Sequence, residues 1–596
     1  MMIAEIGARI RARSATSLAI GTGARVFTLS RAIVFPLGMA VTATASAGNS
    51  MTGTVTGYDP VARTVTLNVV AVAGAGTHGG WTIAGTTTLY VANDGGWTTG
   101  RTDTPAELPI PPYLDNAGSI TRRIGGDVGG IATETLGQME LDNGHGRLDP
   151  WRSYSFDGRT VVLREGRPGD PYPAAWARRI VTTIERLEFS TGRIVVRLAD
   201  RLGALARQPL TKTVFLGNNV PPDGLEGTID QKDLLKPVLI GAEPHFEPPW
   251  VNNSKLCVQV ADRPVQVVEA YEGGASLPLE FVYGDLTTFK DAEITGGWYI
   301  QYAGPEGTFL RFGDADIGRV TCWAREGASA GDRTVAQVVR RCLTQRAGRT
   351  DAELRLADFV ALDAVAPGEV GHWQGTDAAT IGDVLPPILR SAAAWLLTRR
   401  DGTLGLAQVS PPTGNPVAVI SDWMLGASED AVAPLSDAGP ITGGEGAGLP
   451  PSRIEVRYAR NQVTMTESDA LGVVTRDRRV WLHDAFRKRS KDLPDVVEHH
   501  AGAVPLIVET RLVDGSDAAA YADYLADVFG RDLDWSQITI ASEHARDLDI
   551  GDEIALDLAR FDWPSMLPAV VVGVTDDWAN AATTLELYID PDWEAA

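Results

Sequence analysis

The sequence predicts a mainly β, multidomain protein built from small β-barrels or β-sandwiches with a few short helices, and three observations carry that expectation. The chain has 596 residues, several times the roughly 100–200 of a typical domain. Its 63 Gly and 35 Pro are spread along the chain, which favours short strands joined by tight turns. Runs that alternate apolar and polar residues with period two recur from one end to the other.

From Thr16 to Ala84 short β-type runs follow one another. Thr52–Tyr58 and Arg63–Val69 alternate around Asp59-Pro60-Val61-Ala62, as two half-buried strands of a hairpin should. Trp81 then supplies a large aromatic to close a small sandwich. Composition shifts divide the chain into a β-sandwich-like module over 1–86, a linker over 87–115 carrying Pro105, Pro109, Pro111 and Pro112, and a β-barrel domain over 116–255. A second β domain over 256–330 and a mixed α/β segment over 331–426 follow. A loop over 427–450 and a C-terminal β domain with one helix over 451–596 complete the chain. Arg179–Phe189 and Arg193–Leu198 read as a strand pair turned at Ser190-Thr191-Gly192. Thr334–Leu343, Ile381–Leu397 and Asp517–Phe529 have helical spacing. Leu548–Leu556 reads as a strand pair.

Composition excludes several classes. Lys and Arg total 53 against 76 Asp and Glu, a formal net charge of −23, which repels phosphate backbones and argues against sequence-specific nucleic-acid binding. Hydrophobic residues at 44% and charged residues at 22% fit a folded globular chain. Cys257, Cys322 and Cys342 are widely separated, which excludes a disulfide framework and a Cys-rich metal site within one chain. Arg9, Arg11, Arg13, Arg25 and Arg31 precede an apolar run at Ala32–Val41 and small residues at Ala43–Ala47. That run starts too late for a secretory signal, is broken by Pro36 and Gly38, and is shorter than the roughly 20 residues a bilayer needs. The stretch is expected to be folded structure, with no membrane span.

Two resemblances sharpen the reading. The ordered strings T-S-L-x-I-G-T-G-x-x-x-F-T-L from Thr16, G-T-V-T-x-Y from Gly53, T-x-T-L-x-V from Thr64 and G-x-G-T-x-x-x-W-T-I from Gly74 resemble a small β module of bacteriophage tail and tail-fibre proteins. L-D-N-x-x-G-R-L-D-P from Leu141 and D-G-R-T-V-V-L-R-E-G from Asp157, with Phe215–Asn219, Lys236–Gly241, Pro248–Asn252 and Lys255–Val260, resemble the tail-tip, or baseplate, hub proteins of long-tailed phages. The second resemblance makes 116–255 the first hub barrel. It implies a virion structural protein at the distal tip of the tail, assembled in the bacterial cytoplasm as a homotrimeric ring. Its implied partners are distal tail and tail-tube proteins and tail-fibre or central-spike proteins, with DNA passing through without specific binding. Acidic walls would keep that DNA from sticking. An N-terminal module ahead of the hub region departs from the simplest hub pattern.

Candidate chemistry is thin. Asp142-Asn143-Gly144-His145-Gly146-Arg147-Leu148-Asp149 offers oxygen ligands, but Gly144, Gly146 and Ser153 occupy positions where an EF-hand needs ligands, so a tight turn is expected. Glu498-His499-His500 lacks a second ligand cluster, and adjacent strand residues face opposite ways. Asp142/Asp149 and Asp549/Asp552 are carboxylate pairs of the kind a glycosidase needs, inevitable among so many acids. Trp81, Trp97, Trp151, Trp250 and Trp298 are candidates for sugar stacking or for core and interface anchors. The sequence therefore assigns no catalytic, cofactor-binding or metal-ligating residue, no cofactor and no enzymatic activity. A receptor-binding fibre or adhesin reading host glycans remains the alternative, and a polysaccharide hydrolase is a third reading.

Overall fold

The computed structural model describes residues 1–596 apart from 219–223, 315–316, 427–430, 436–438, 442–446, 560–562 and 593–596. Asn219 and much of the loop expected over 427–450 therefore lie outside the described residues. Within that stretch Val432–Pro434 is a short strand against Asp534–Ala541.

The protein is mainly β and multidomain, with short helices. Its N-terminus is a 13-residue strand, Met2–Ser14. Ile6, Ala8, Ile10 and Ala12 point into the core, while Arg9, Arg11 and Arg13 point out. Three of the five arginines that give this region a leader-like composition are thus the solvent face of a period-two strand. One edge of Met2–Ser14 pairs with Trp81–Ala92, from Ile3↔Ala92 to Ser14↔Trp81. Its other edge pairs with Thr160–Glu165, with Ile6↔Val161. The result is one sheet of eleven strands. From Met2–Ser14 it runs one way through Trp81–Ala92, Ala40–Ser46, Asn49–Asp59, Thr64–Ala73 and Gly23–Thr28. The other way it runs through Thr160–Glu165, Ala177–Phe189, Arg193–Ala199, Gln138–Asp142 and Leu114–Asn116. The Asn49–Asp59 and Thr64–Ala73 hairpin closes as its sequence suggests, because Asp59 Oδ1 accepts the N–H groups of Val61 at 2.8 Å and Ala62 at 3.0 Å. The Pro-rich stretch carries the short pair Trp97–Thr98 and Pro109–Ile110. Ile110 joins Ile3, Ala92, Tyr172 and Trp176 in a small core.

A second sheet, of eight strands, joins distant parts of the chain. Ser119–Arg123 pairs with Leu567–Asp577 in the register Thr121↔Thr575. Leu567–Asp577 also pairs with Ala582–Ile589, which leads to Asp534–Ala541. Two further sheets of five strands each enclose a sandwich core of Leu239, Phe246, Val258, Leu310 and Cys322. A three-stranded sheet, Arg487–Asp492, Arg453–Tyr458 and Leu506–Glu509, carries the helix Gly515–Phe529 against it. Among the described residues no sheet closes on itself, so the expected barrels are open sheets.

Several local expectations need correction. Among the described residues, 451–596 carry not one helix but three, Arg476–His483, Pro494–His499 and Gly515–Phe529. Ile381–Leu397 is not one helix: Ile381–Leu389 is helical, Ala393 takes a left-handed φ of 45°, and Ala394–Thr398 is a strand. All five residues of that strand are buried, so its sequence has no alternation to distinguish it from helix. Leu548–Leu556 contributes one strand, Glu553–Asp557, after a turn at Gly551 with φ 94°.

Candidate functional site: a buried ionic seam

The residues weighed from sequence are structurally occupied. In the Asp142–Asp149 turn, Asp142 Oδ1 accepts from Gly144 N at 2.8 Å and Asp149 Oδ1 from Asn143 Nδ2 at 2.8 Å. His499 ends the helix Pro494–His499, which replaces the strand assumed for it, and His500 is bonded to Asp532. Among the described residues no group of three or more His, Cys, Asp or Glu is arranged to hold a metal. Asp549 and Asp552 are joined through Asp549 N, 2.7 Å from Asp552 Oδ2. Trp81 and Trp151 are buried, Trp97 stacks on Trp176 at 5.2 Å, Trp250 lies against Phe312, and Trp298 is 40% exposed. The three cysteines are buried free thiols whose pKa values burial raises, that of Cys342 to about 12.

Charge concentrates instead where the sheets meet. Arg122, on Ser119–Arg123, donates from Nη1 to Asp549 Oδ1 at 2.9 Å and to the Thr398 carbonyl at 3.3 Å. Arg400 donates to Asp576 Oδ2 at 2.7 Å and to the Leu548 carbonyl at 3.0 Å. Asp576 also accepts from Thr583 Oγ1 at 2.9 Å. Arg399 holds Asp358 at 2.8 Å and the Ile550 carbonyl at 2.6 Å. Arg179, from the eleven-stranded sheet, pairs with Glu165 and reaches across to the carbonyls of Arg546 at 2.7 Å and Ser542 at 3.0 Å. Arg122, Arg179 and Asp576 are at most 5% exposed. Burial alone would raise the Asp549 carboxyl, but Arg122, Arg400 and Arg399 outweigh it and hold it below the usual range. Beside the seam lies a cleft of about 460 Å³ lined by Arg178, Arg355, Arg399, Arg400 and Arg546 interleaved with aspartates. Every seam carboxylate is committed to a fixed cation or N–H, so the chemistry of the seam is cohesion between elements. No sequence motif marks it, because Arg122 and Asp549 are 427 positions apart.

A second buried polar cluster lies where Val238–Phe246 meets Gly371–Gln374. Glu243 is 2% exposed, and burial raises its carboxyl to about 7 against partial relief from Arg511 and Arg460. Burial pushes His245 and His372 down to about 3, with Arg478, Arg487 and Arg319 adding to the effect on His245 and Arg511 and Arg460 on His372. The signs oppose. The histidines bind protons only in the unfolded state between about pH 3 and 6.5, so they remove stability as pH falls through that window. Glu243 is protonated in the folded state between its ordinary 4.5 and about 7, so it removes stability as pH rises through that window. Glu243→Gln is therefore expected to raise the melting temperature relative to the parent at pH 8 and to leave it nearly unchanged at pH 4.5. Equal shifts at both values, by calorimetry, would contradict this account.

No family model and no curated protein matches the chain. Solved structures with partial likeness include the 43 kDa tail protein of prophage MuSo2 from Shewanella oneidensis, 8% identical over 82% of this chain and 97% of that one, TM-score 0.30. A tail protein from Neisseria meningitidis MC58 is 10% identical over 84% of this chain and 99% of that one, TM-score 0.32. The prophage tail protein gp18 from Listeria monocytogenes EGD-e is 7% identical over 80% of this chain and 96% of that one, TM-score 0.29.

Proposed function

We propose that this chain is a non-catalytic structural component of a bacteriophage tail, the hub of the tail tip. In this reading three copies form a ring that closes or extends the tail tube, contacts distal tail and tube proteins, anchors fibre or spike proteins below, and lets DNA pass. The observation that carries the reading is the ionic seam between interleaved sheets. A part that transmits load between a tube and its fibres needs its distant segments locked together: Arg122–Asp549 and the strand pairing tie residues 119–123 to 549 and to 573–577, and Arg400–Asp576 ties residue 400 to the same strand. The ordered strings that resemble hub proteins, from Leu141 to Val260, support the same reading. No described helix is long and apolar enough to cross a membrane. Gold-labelled antibody to the chain, applied to tail particles from cells that produce it, is expected to mark one end of the tube. Label along the whole tube, or none on intact tails, would overturn the assignment.

A further inference from the structure

Among the described residues, two sheet edges of opposite character have no further strand partner. Leu279–Tyr283 ends one five-stranded sheet, paired only with Tyr299–Gly304. It is apolar and open, with Leu279 40%, Phe281 57% and Val282 50% exposed. Soluble proteins normally blunt such an edge with charge, proline or a covering element. Beside it a groove of about 410 Å³ is lined by Val265, Val267, Leu279 and Val282 with Gln301 and Arg325 among them. The surrounding segment is acidic: 264–318 holds nine Asp or Glu against two Lys or Arg. Glu280 itself is held by the Thr295 N–H and hydroxyl, each at 3.0 Å.

Arg487–Asp492 ends the three-stranded sheet and is exposed from Lys488 to Asp492. Here the charge is reversed: the strand holds Arg487, Lys488, Arg489 and Lys491 against Asp492, and the preceding helix Arg476–His483 adds Arg476, Arg478 and Arg479 against Asp477. Lys488 and Lys491 contact Glu455 at 3.2 Å and Asp523 at 2.6 Å, in pairs with at least one partner about half exposed. Exposed pairs of this kind are weak and free to exchange partners.

We propose that these two edges meet between copies of this chain, Leu279–Tyr283 of one adding to Arg487–Asp492 of the next. Charge selects this pairing over either edge meeting its own copy. Self-pairing of Leu279–Tyr283 brings two Glu280 side chains and two acidic segments together, and self-pairing of Arg487–Asp492 does the same with lysines and arginines. A contact between unlike surfaces is head-to-tail, and head-to-tail contacts close into rings or run on as filaments. Closure at three rests on the tail-tip reading above; the contact itself does not.

The test uses the full chain carrying Val282→Cys and Ser490→Cys together, treated with a short thiol-specific cross-linker. The native thiols are buried and do not compete. The proposal expects covalent multimers from the double variant, none from either single variant, and at least a tenfold loss of multimer from Phe281→Asp with an unchanged circular dichroism spectrum. A solution mass that stays monomeric at every concentration, or multimers from Val282→Cys alone, would overturn it. Multimers from Val282→Cys alone would overturn this contact and leave the ring intact, and a chain that is monomeric alone but forms a ring when the tail-tube protein is added would overturn this contact and leave the tail-tip reading standing, so the two readings fail separately.

Discussion

Replacing Ile6 by Asp is expected to remove about 4 kcal/mol or more of stability from the eleven-stranded sheet, on both sides of the substituted strand at once. Ile6 is 0% exposed and stands in register between Leu89 and Val161. Leu141, Leu163 and Ile194 belong to the same core. That core is apolar, so a carboxylate placed in it loses its hydration. Because Met2–Ser14 is hydrogen-bonded to strands on both edges, the damage should spread both ways. Hydrogen exchange is expected to show lost protection in Trp81–Ala92 and in Thr160–Glu165 together. Ile6→Val, which removes one methyl group, should cost only about 0.5–1.5 kcal/mol. Loss confined to one flank would mean that the two halves of the sheet are stabilised independently.

The second large effect belongs to the seam. Asp576 is 1% exposed and accepts from Arg400 and Thr583. Asp576→Ala leaves the Arg400 guanidinium buried without its carboxylate, and breaking a buried pair in this way costs about 3–5 kcal/mol. Removing both charges together, as Arg400→Met with Asp576→Leu, should cost markedly less than the single change, because desolvation of two ions offsets much of their attraction. Denaturant unfolding of the two variants separates the cases. A double variant less stable than Asp576→Ala would show that the pair adds net stability beyond its desolvation cost.

Much of the β architecture was legible in the sequence because half-buried strands advertise themselves. Thr52–Tyr58 and Thr64–Val69 alternate and carry an Asx turn between them. Gly515–Phe529 carries its apolar residues at helical spacing, and its N-cap Asp514 accepts from Ser516 N. Met2–Ser14 also alternates, but its outward arginines and small inward alanines give the composition of a leader. Ala394–Thr398 escaped for the opposite reason: a strand buried on both faces has no polar phase to betray its period. That the expected barrels stay open depends on strand partners that no local pattern encodes. The same holds for the seam, whose arginines look like ordinary surface charges until Ser119–Arg123 is laid beside Leu567–Asp577. The basic run Arg487–Lys491 is plain as composition, yet its position on an outer sheet strand emerges only from the strand order.

The central claim is that this chain is a ring-forming part of a phage tail tip, and single-particle imaging of the purified full chain, with its solution mass measured on the same sample, tests it most directly. The account predicts a threefold ring around an open centre with the mass of three chains. A compact monomer that stays monomeric when the tail-tube protein is added would contradict it.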